Sequence, residues 1–413
     1  MIILIINIKQ LVNTREVSQL LRGENLVLLP CIDNAFLLVE DDIIAEYGHM
    51  YELELKVPIR PKQVIDASGQ LVLPCWCDSH THLVFAKSRE EEFEYKLKGM
   101  TYAQIAEKGG GILNSARVLN DTSEDELFRL AKGRLDEIAR MGTGAVEIKS
   151  GYGLSVEGEL KMLRVIKRLK SESGMIIRST FLGAHTFPLA FRDNHEGYIN
   201  MIIDKMLPVI ATEELADYID VFCEEGFFSP SEMERICLAG KNAGLKPKLH
   251  VNQLNSIGGI DKAVRLGAVS VDHLETMTEK DIEILSASHT IGTLLPTAAF
   301  FLRMQYQPAR QLIDSGCAVA LASDYNPGSS PSGNINFVIA ISCIQMKMLP
   351  AEAINAATMN GAFAMGIQDQ AGSITIGKKA NLIFTRPVPS LSYIPYSFGS
   401  DMIEKVMING IFI

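Results

Sequence analysis

From residue 71 to residue 370 this chain alternates short apolar runs with segments whose apolar residues recur at helical spacing. No other property restricts its fold so tightly, because such alternation is the signature of βα units built on a parallel sheet. The strand candidates are Leu71–Cys77, Ala145–Lys149, Ile176–Ala184, Val221–Cys223, Lys246–His250, Val269–Asp272, Thr290–Leu295 and Ala318–Ala322. Helices are expected over Glu124–Arg140 and Val156–Lys170, with charged outer faces. Ser123 with Glu126 and Ser229-Pro230-Ser231-Glu232 read as helix N-termini, the first as a capping box and the second with proline at the first helical position. Strands alternating with helices in this number close naturally as a (β/α)₈ TIM-like barrel.

The flanks have a different texture. Ile2–Ile8, Ala35–Val39, Ile43–Tyr47 and Gln63–Ala67 read as short strands between turn formers, and Glu52–Lys56 alternates Glu and Leu as a half-exposed strand would. After residue 370, β character returns in Gly372–Ile376, Asn381–Thr385 and Val406–Ile413, with turns at Gly377-Lys378 and Asn409-Gly410. The expected class is therefore α/β, with residues 71–370 as the barrel. Residues 1–70 plus 371–413 would form a small β-sandwich domain from both chain termini.

A chain of 413 residues, 47% hydrophobic and 21% charged, describes an ordinary globular protein with a sizeable core. Its formal charge of −10 offers no general basic surface to a nucleic acid or an anionic membrane, so a small substrate is expected. The seven cysteines are scattered and lack Cys-x-x-Cys spacing, which fits a reducing compartment. No basic leader and no membrane-length apolar run is present, and the expected location is the cytoplasm.

Chemistry concentrates where strands end. His80 and His82, two apart after an apolar run, can turn both imidazoles to one point, since residues i and i+2 of a strand share a face. Five of the eight histidines follow apolar runs: His80, His82, His185, His250 and His273. Asp324 does likewise, closing Ala-Val-Ala-Leu-Ala-Ser-Asp. Each alone reads as a hydrogen-bonded core residue; together, at the barrel end where active sites lie, they read as a metal and substrate site. His80, His82, His250 and Asp324 would make a donor set suited to Zn²⁺ or Fe²⁺, with water as a further ligand lowered to a pKa of about 7.

At the level of longer motifs the chain resembles the amidohydrolase superfamily and, within it, the imidazolonepropionase family. Asp78-Ser-His-Thr-His82, Ser88-Arg89-Glu90-Glu91-Glu92-Phe93 and Gly109-Gly-Gly-Ile-Leu113 carry the likeness. So do Glu147-Ile-Lys-Ser-Gly-Tyr-Gly-Leu154, Phe181-Leu-Gly-Ala-His185, Phe222-Cys-Glu-Glu-Gly226, Asp272-His273 and Asp324-Tyr-Asn-Pro-Gly-Ser-Ser330. The resemblance implies hydrolysis of the ring amide of 4-imidazolone-5-propanoate to N-formimidoyl-L-glutamate, in histidine degradation. It also implies one Zn²⁺ or Fe²⁺/Fe³⁺ per subunit and a homodimer. Carried onto this chain, the metal ligands are His80, His82, His250 and Asp324. The substrate contacts are Arg89, Tyr152, His185, Gln253, Asn326, Gly328 and Ser329.

The residues read sensibly as chemistry. Metal-bound hydroxide is the expected nucleophile, with Asp324 as the proton shuttle to the leaving nitrogen. His273 would orient the water or stabilise the developing oxyanion. Arg89 offers a fork for the propionate, and Asn326-Pro-Gly-Ser-Ser could direct backbone N–H groups at an anion. The chain departs from the family at His250-Val-Asn252-Gln253, where a carboxylate is usual at the position of Asn252. Gln253 cannot exchange a proton, so its part is limited to hydrogen bonding the ring. Cys75 and Cys77 point away from the His80 face by strand parity and read as core. Lys149 reads as an ion pair beside Glu147 rather than as a carboxylated bridge between two metals. A metal-dependent deaminase of a heterocycle and a catalytically silent assembly protein are the other readings. Arg89 disfavours the first, and the four intact ligands disfavour the second.

Overall fold

The computed structural model describes residues 1–100, 104 and 110–413. Gly109 of the expected glycine turn lies outside them. Among the described residues, eight parallel strands follow one another in chain order: β1 (Trp76–Thr81), β2 (Thr143–Lys149), β3 (Ile176–Ala184), β4 (Tyr218–Cys223), β5 (Lys246–Val251), β6 (Ser270–His273), β7 (Ile291–Leu294) and β8 (Val319–Leu321). The last strand meets the first just past β8, where the Asp324 N–H donates to the His80 carbonyl at 3.0 Å and the His82 N–H to the Tyr325 carbonyl at 2.9 Å. The barrel is thus closed through the backbones of three of the residues singled out for chemistry, His80, His82 and Asp324.

The helices form for legible reasons. Glu124–Arg140 begins where the Ser123 hydroxyl accepts the Glu126 N–H, and it buries Leu127, Ala131, Leu135 and Ile138 at helical spacing. Each of the larger side chains contributes about 2 kcal/mol by leaving water. Gly142, at φ 96°, then turns the chain into β2, whose seven residues are all buried. Pro230–Asn242 starts with the expected proline and also with a reciprocal cap, Ser229 and Glu232 each satisfying the other's backbone N–H, whereas at Ser123, where the capping box was expected, only the serine half forms.

Both chain ends build a separate sheet, ordered Ile411–Phe412, Ile403–Ile408, Leu382–Thr385, Leu71–Pro74, Ile2–Val12, Cys31–Glu40, Ile43–His49, with Gln63–Asp66 on the flank of Ile2–Val12. Ile3, Ile5, Leu37, Val39, Val72, Leu382, Phe384 and Met407 form its core.

Several local expectations need correction. The run Leu71–Cys77 is divided: Leu71–Pro74 pairs with Ile2–Val12 and Leu382–Thr385 in the terminal sheet, and the barrel strand starts at Trp76. Glu52–Lys56 is not a strand. Leu53 and Val57 pack, four residues apart, on Leu4 and Phe36, which is a helical period, and Leu53–Lys56 is a helical turn. Gly372–Ile376 makes only a single bridge, Thr14 to Ile374, because Gly372 turns at φ 88°. The turn expected at Asn409-Gly410, by contrast, is present: Val406–Ile413 is a hairpin, with Asn409 (φ 48°) and Gly410 (φ 77°) supplying the two positive angles that its tight turn requires.

Candidate active site

His80, His82, His250, His273 and Asp324 are all buried and meet inside the C-terminal mouth of the barrel. Ring nitrogens of His80, His82 and His250 lie within 4.8 Å of one another, and so do ligand atoms of His80, His273 and Asp324. Asp324 Oδ1 stands 3.5 Å from both His80 Nε2 and His82 Nε2.

Carboxylates behind the rings set their orientation. His80 Nδ1 meets Asp272 Oδ2 at 2.7 Å, and His250 Nδ1 meets Asp220 Oδ2 at 2.7 Å. Each ring therefore spends its Nδ1 on a carboxylate and leaves Nε2 for the centre, the arrangement found behind metal-bound histidines. His80 Nε2 is buried without a hydrogen-bond partner, an expensive condition that a cation shared with His82 Nε2 and Asp324 would relieve. Burial, with Lys149 and the neighbouring rings adding to it, holds His80 and His250 well below the usual histidine range, and burial beside His185 does the same for His82. Three neutral imidazoles and a carboxylate match a zinc or iron site, so these residues could hold a metal.

Deeper in the barrel lies a charge cluster that the sequence reading had only touched. Lys149 Nζ contacts Glu147 Oε1 at 2.7 Å, Asp220 Oδ2 at 2.9 Å and Asp272 Oδ2 at 3.6 Å, while Lys248 Nζ contacts Glu147 Oε2 at 2.8 Å. Burial alone would lower the Lys149 ammonium, but these carboxylates outweigh it and raise it. Lys149 is an ion-paired ammonium, as its position beside Glu147 suggested. Burial raises Asp324 to about 6. At His273 burial acts downward, yet Glu275, 3.3 Å from Nδ1, prevails with the nearby aspartates and lifts it to about 9.

Over this floor opens a cavity of about 340 Å³. Arg89, Tyr152, His185, Gln253, Asn326, Gly328 and Ser329 all line it, together with Phe222, the first residue of the Phe222–Gly226 motif, and with Lys96, Phe227 and Leu302, which no motif singles out. Arg89 donates through Nε to Ser115 Oγ at 2.8 Å and leaves one terminal nitrogen buried and unpartnered. Tyr152 is buried rather than a surface loop aromatic. His185 stacks on His82 with ring centres 5.4 Å apart, its Nδ1 3.0 Å from the Gly151 carbonyl. Gln253 presents its side chain to the cavity, while its backbone N–H is held by Glu224. The loop after Asp324 departs from expectation in one respect: the Gly328 and Ser329 N–H groups both donate to Asn326 Oδ1, at 2.8 Å, rather than facing an outside anion. Ser329 Oγ reaches Asp324 Oδ2 at 3.3 Å. Asn252 does not face the cavity; its amide donates to the Thr276 carbonyl at 2.8 Å and to Asp281 at 3.2 Å. Cys75 and Cys77 are buried among core residues, away from the rings.

The missed residues carry little signal of their own. Asp220 and Glu275 are single carboxylates in no special pattern, and Asp272, though part of the Asp272-His273 motif, carries no sign of its role; only the need of a buried imidazole for an acceptor could have pointed to these roles.

Against curated proteins, the chain is 56% identical over 411 residues to the imidazolonepropionase of Flavobacterium johnsoniae, covering 99% of each chain. The chain belongs to the imidazolonepropionase family. A more distant member, from Clostridium tetani, is 44% identical over 388 residues, covering 94% of this chain and 92% of its own. Residues 228–412 match the amidohydrolase family. Solved structures with the same fold include E. coli guanine deaminase (TM-score 0.72, 14% identity, covering 100% of this chain and 99% of that one). Another is an adenosine deaminase from Xanthomonas campestris with bound zinc (TM-score 0.69, 16% identity, covering 99% and 92%). Membership of the imidazolonepropionase family and the three-histidine cluster together support a metal cofactor. Among the described residues of this family member, no helix is long and apolar enough to cross a membrane.

Proposed function

We propose that the protein hydrolyses the ring amide of 4-imidazolone-5-propanoate to N-formimidoyl-L-glutamate, a step of histidine degradation. Family membership supports the reaction. The single observation that carries the site is the cavity with imidazoles and a carboxylate at its floor and an unpartnered arginine nitrogen on its wall.

Arg89 pairs with the propionate, its planar fork suited to a carboxylate. Tyr152 and His185 flank the ring, and Gln253 hydrogen bonds to it without taking a proton. Asn326 acts indirectly, folding the loop so that Gly328 lets Arg89 approach and Ser329 reaches Asp324. His80, His82, His250 and Asp324 would hold a zinc or iron ion, which would supply Lewis acidity and lower the pKa of water to about 7. Asp324 accepts the proton of the attacking water and passes it to the departing ring nitrogen, general base becoming general acid. His273 stabilises negative charge developing on the carbonyl oxygen. Lys149, occupied by three carboxylates, supports one metal per subunit rather than two.

Two domains, 1–70 with 371–413 and 71–370, the short strand Leu71–Pro74 going with the first, a homodimeric assembly and a cytoplasmic location complete the reading. The last is supported by seven free cysteines. Metal analysis and ring opening measured on one preparation test the reaction. One zinc or iron per chain with formimidoylglutamate formed supports it. Two metals per chain sink the mononuclear site, and ammonia released from a heterocyclic amine with no ring opening favours a deaminase.

A further inference from the structure

His273 sits in an unusual backbone. It has φ 90° and the following Leu274 φ 69°, two consecutive non-glycine residues in the left-handed region. Such conformations are costly for residues with a Cβ and persist only where the surroundings over-determine them. The surroundings here are specific. Glu275, 1% exposed, turns its Oε1 to His273 Nδ1 at 3.3 Å, and the same oxygen accepts from Gln307 Nε2 at 2.9 Å. The Glu275 carbonyl accepts from Gln305 Nε2 at 3.0 Å. Gln305 and Gln307 belong to the connection between the helices Pro296–Leu302 and Ala309–Asp314, and Gln307 is 2% exposed. Neither Glu275 nor Gln307 lines the cavity, whereas His273 does.

We infer that the 303–308 connection is a strut that aims His273: Gln307 and Gln305 hold Glu275, and Glu275 holds the imidazole with its free edge toward Asp324 and the scissile carbonyl. Glu275, Gln305 and Gln307 are positioning residues. The inference rests on the proposed ring-opening reaction, and it gives the connection a specific part in that reaction. The strained pair at 273–274 has a purpose on this reading, since a relaxed backbone would carry the ring off the reacting atoms.

Gln307→Leu removes one arm of the strut at a distance from the substrate, and Glu275→Leu removes its centre. Both are compared with wild type for bound metal, melting temperature, kcat, KM and binding of 3-(imidazol-4-yl)propanoate, which has the carboxylate and ring but no amide to hydrolyse. The expected result is kcat per bound metal down about tenfold in Gln307→Leu and further in Glu275→Leu, with KM and analogue binding within about twofold of wild type. Glu275→Gln, which keeps the acceptor oxygen, should recover most of the loss. A Gln307→Leu enzyme with wild-type kcat per metal overturns the inference, as does a kcat loss matched wholly by lost metal. Should Glu275→Leu fail to fold, Gln307→Leu decides alone. An inert wild type would instead count against the reaction itself.

Discussion

Single residues divide sharply by what they touch. Asp324→Asn keeps a metal-binding oxygen but cannot take a proton, so turnover should fall by about a thousandfold or more with metal still bound. Arg89→Ala removes the fork for the propionate and should raise KM by about ten- to a hundredfold with kcat less affected. Unchanged turnover in the first variant would remove Asp324 from the proton path. Asn252 makes a different point. Its amide sits between the Thr276 carbonyl and Asp281, so the carboxylate usual in the family would be set against another carboxylate here. Asn252→Asp should therefore cost about 1–3 kcal/mol, read as a lower urea midpoint with an unchanged slope. Histidines that end strands were legible because parity and position both constrain them. Asp220, Asp272 and Glu275 were not, because a buried carboxylate and a solvated one are written with the same letter.

Elements hold the site through their ends. The carboxylate of Glu159, in the first turn of the helix Val156–Glu172, accepts from the N–H groups of Gly151, Gly153 and Leu154 at 3.0, 2.7 and 2.9 Å. It thereby folds the loop that carries Tyr152 into the cavity. Glu159→Ala leaves three buried donors without an acceptor and should lose about 2 kcal/mol or more, with KM rising as Tyr152 loosens. A wild-type KM in that variant would separate the loop from binding. The βα alternation and most strands were readable since each is a run of one texture. The division of Leu71–Cys77 between two sheets was not, because an apolar stretch carries no mark of which neighbour it will pair with. Nor did the Glu/Leu alternation at 52–56 reveal that Leu53 and Val57 share one helical face.

At the scale of the molecule, the buried rings and Asp324 lose a common partner when the metal is stripped. Chelation should abolish turnover and lower the melting temperature while far-UV dichroism is kept, and a metal held at a hundred times its Kd should restore about 2.7 kcal/mol. A second global readout is pH. Lys378 is buried against the Ala371 carbonyl and Ser373 Oγ, and burial lowers its ammonium to about 8. Because the unfolded lysine titrates near about 10.4, the unfolded chain binds more protons between those values, and stability should rise with pH across that window. The gain should be absent from Lys378→Met, and parallel profiles for the two proteins would remove Lys378 as its source. The order of strands in the terminal sheet has a consequence for how such a chain is made. Leu71–Pro74 is flanked by Ile2–Val12 on one side and by Leu382–Thr385 on the other. During synthesis its second neighbour does not exist until every strand of the barrel has left the ribosome, and for that interval a raw strand edge stays unpaired. A nascent chain arrested before residue 382 should accordingly be the form that chaperones seize.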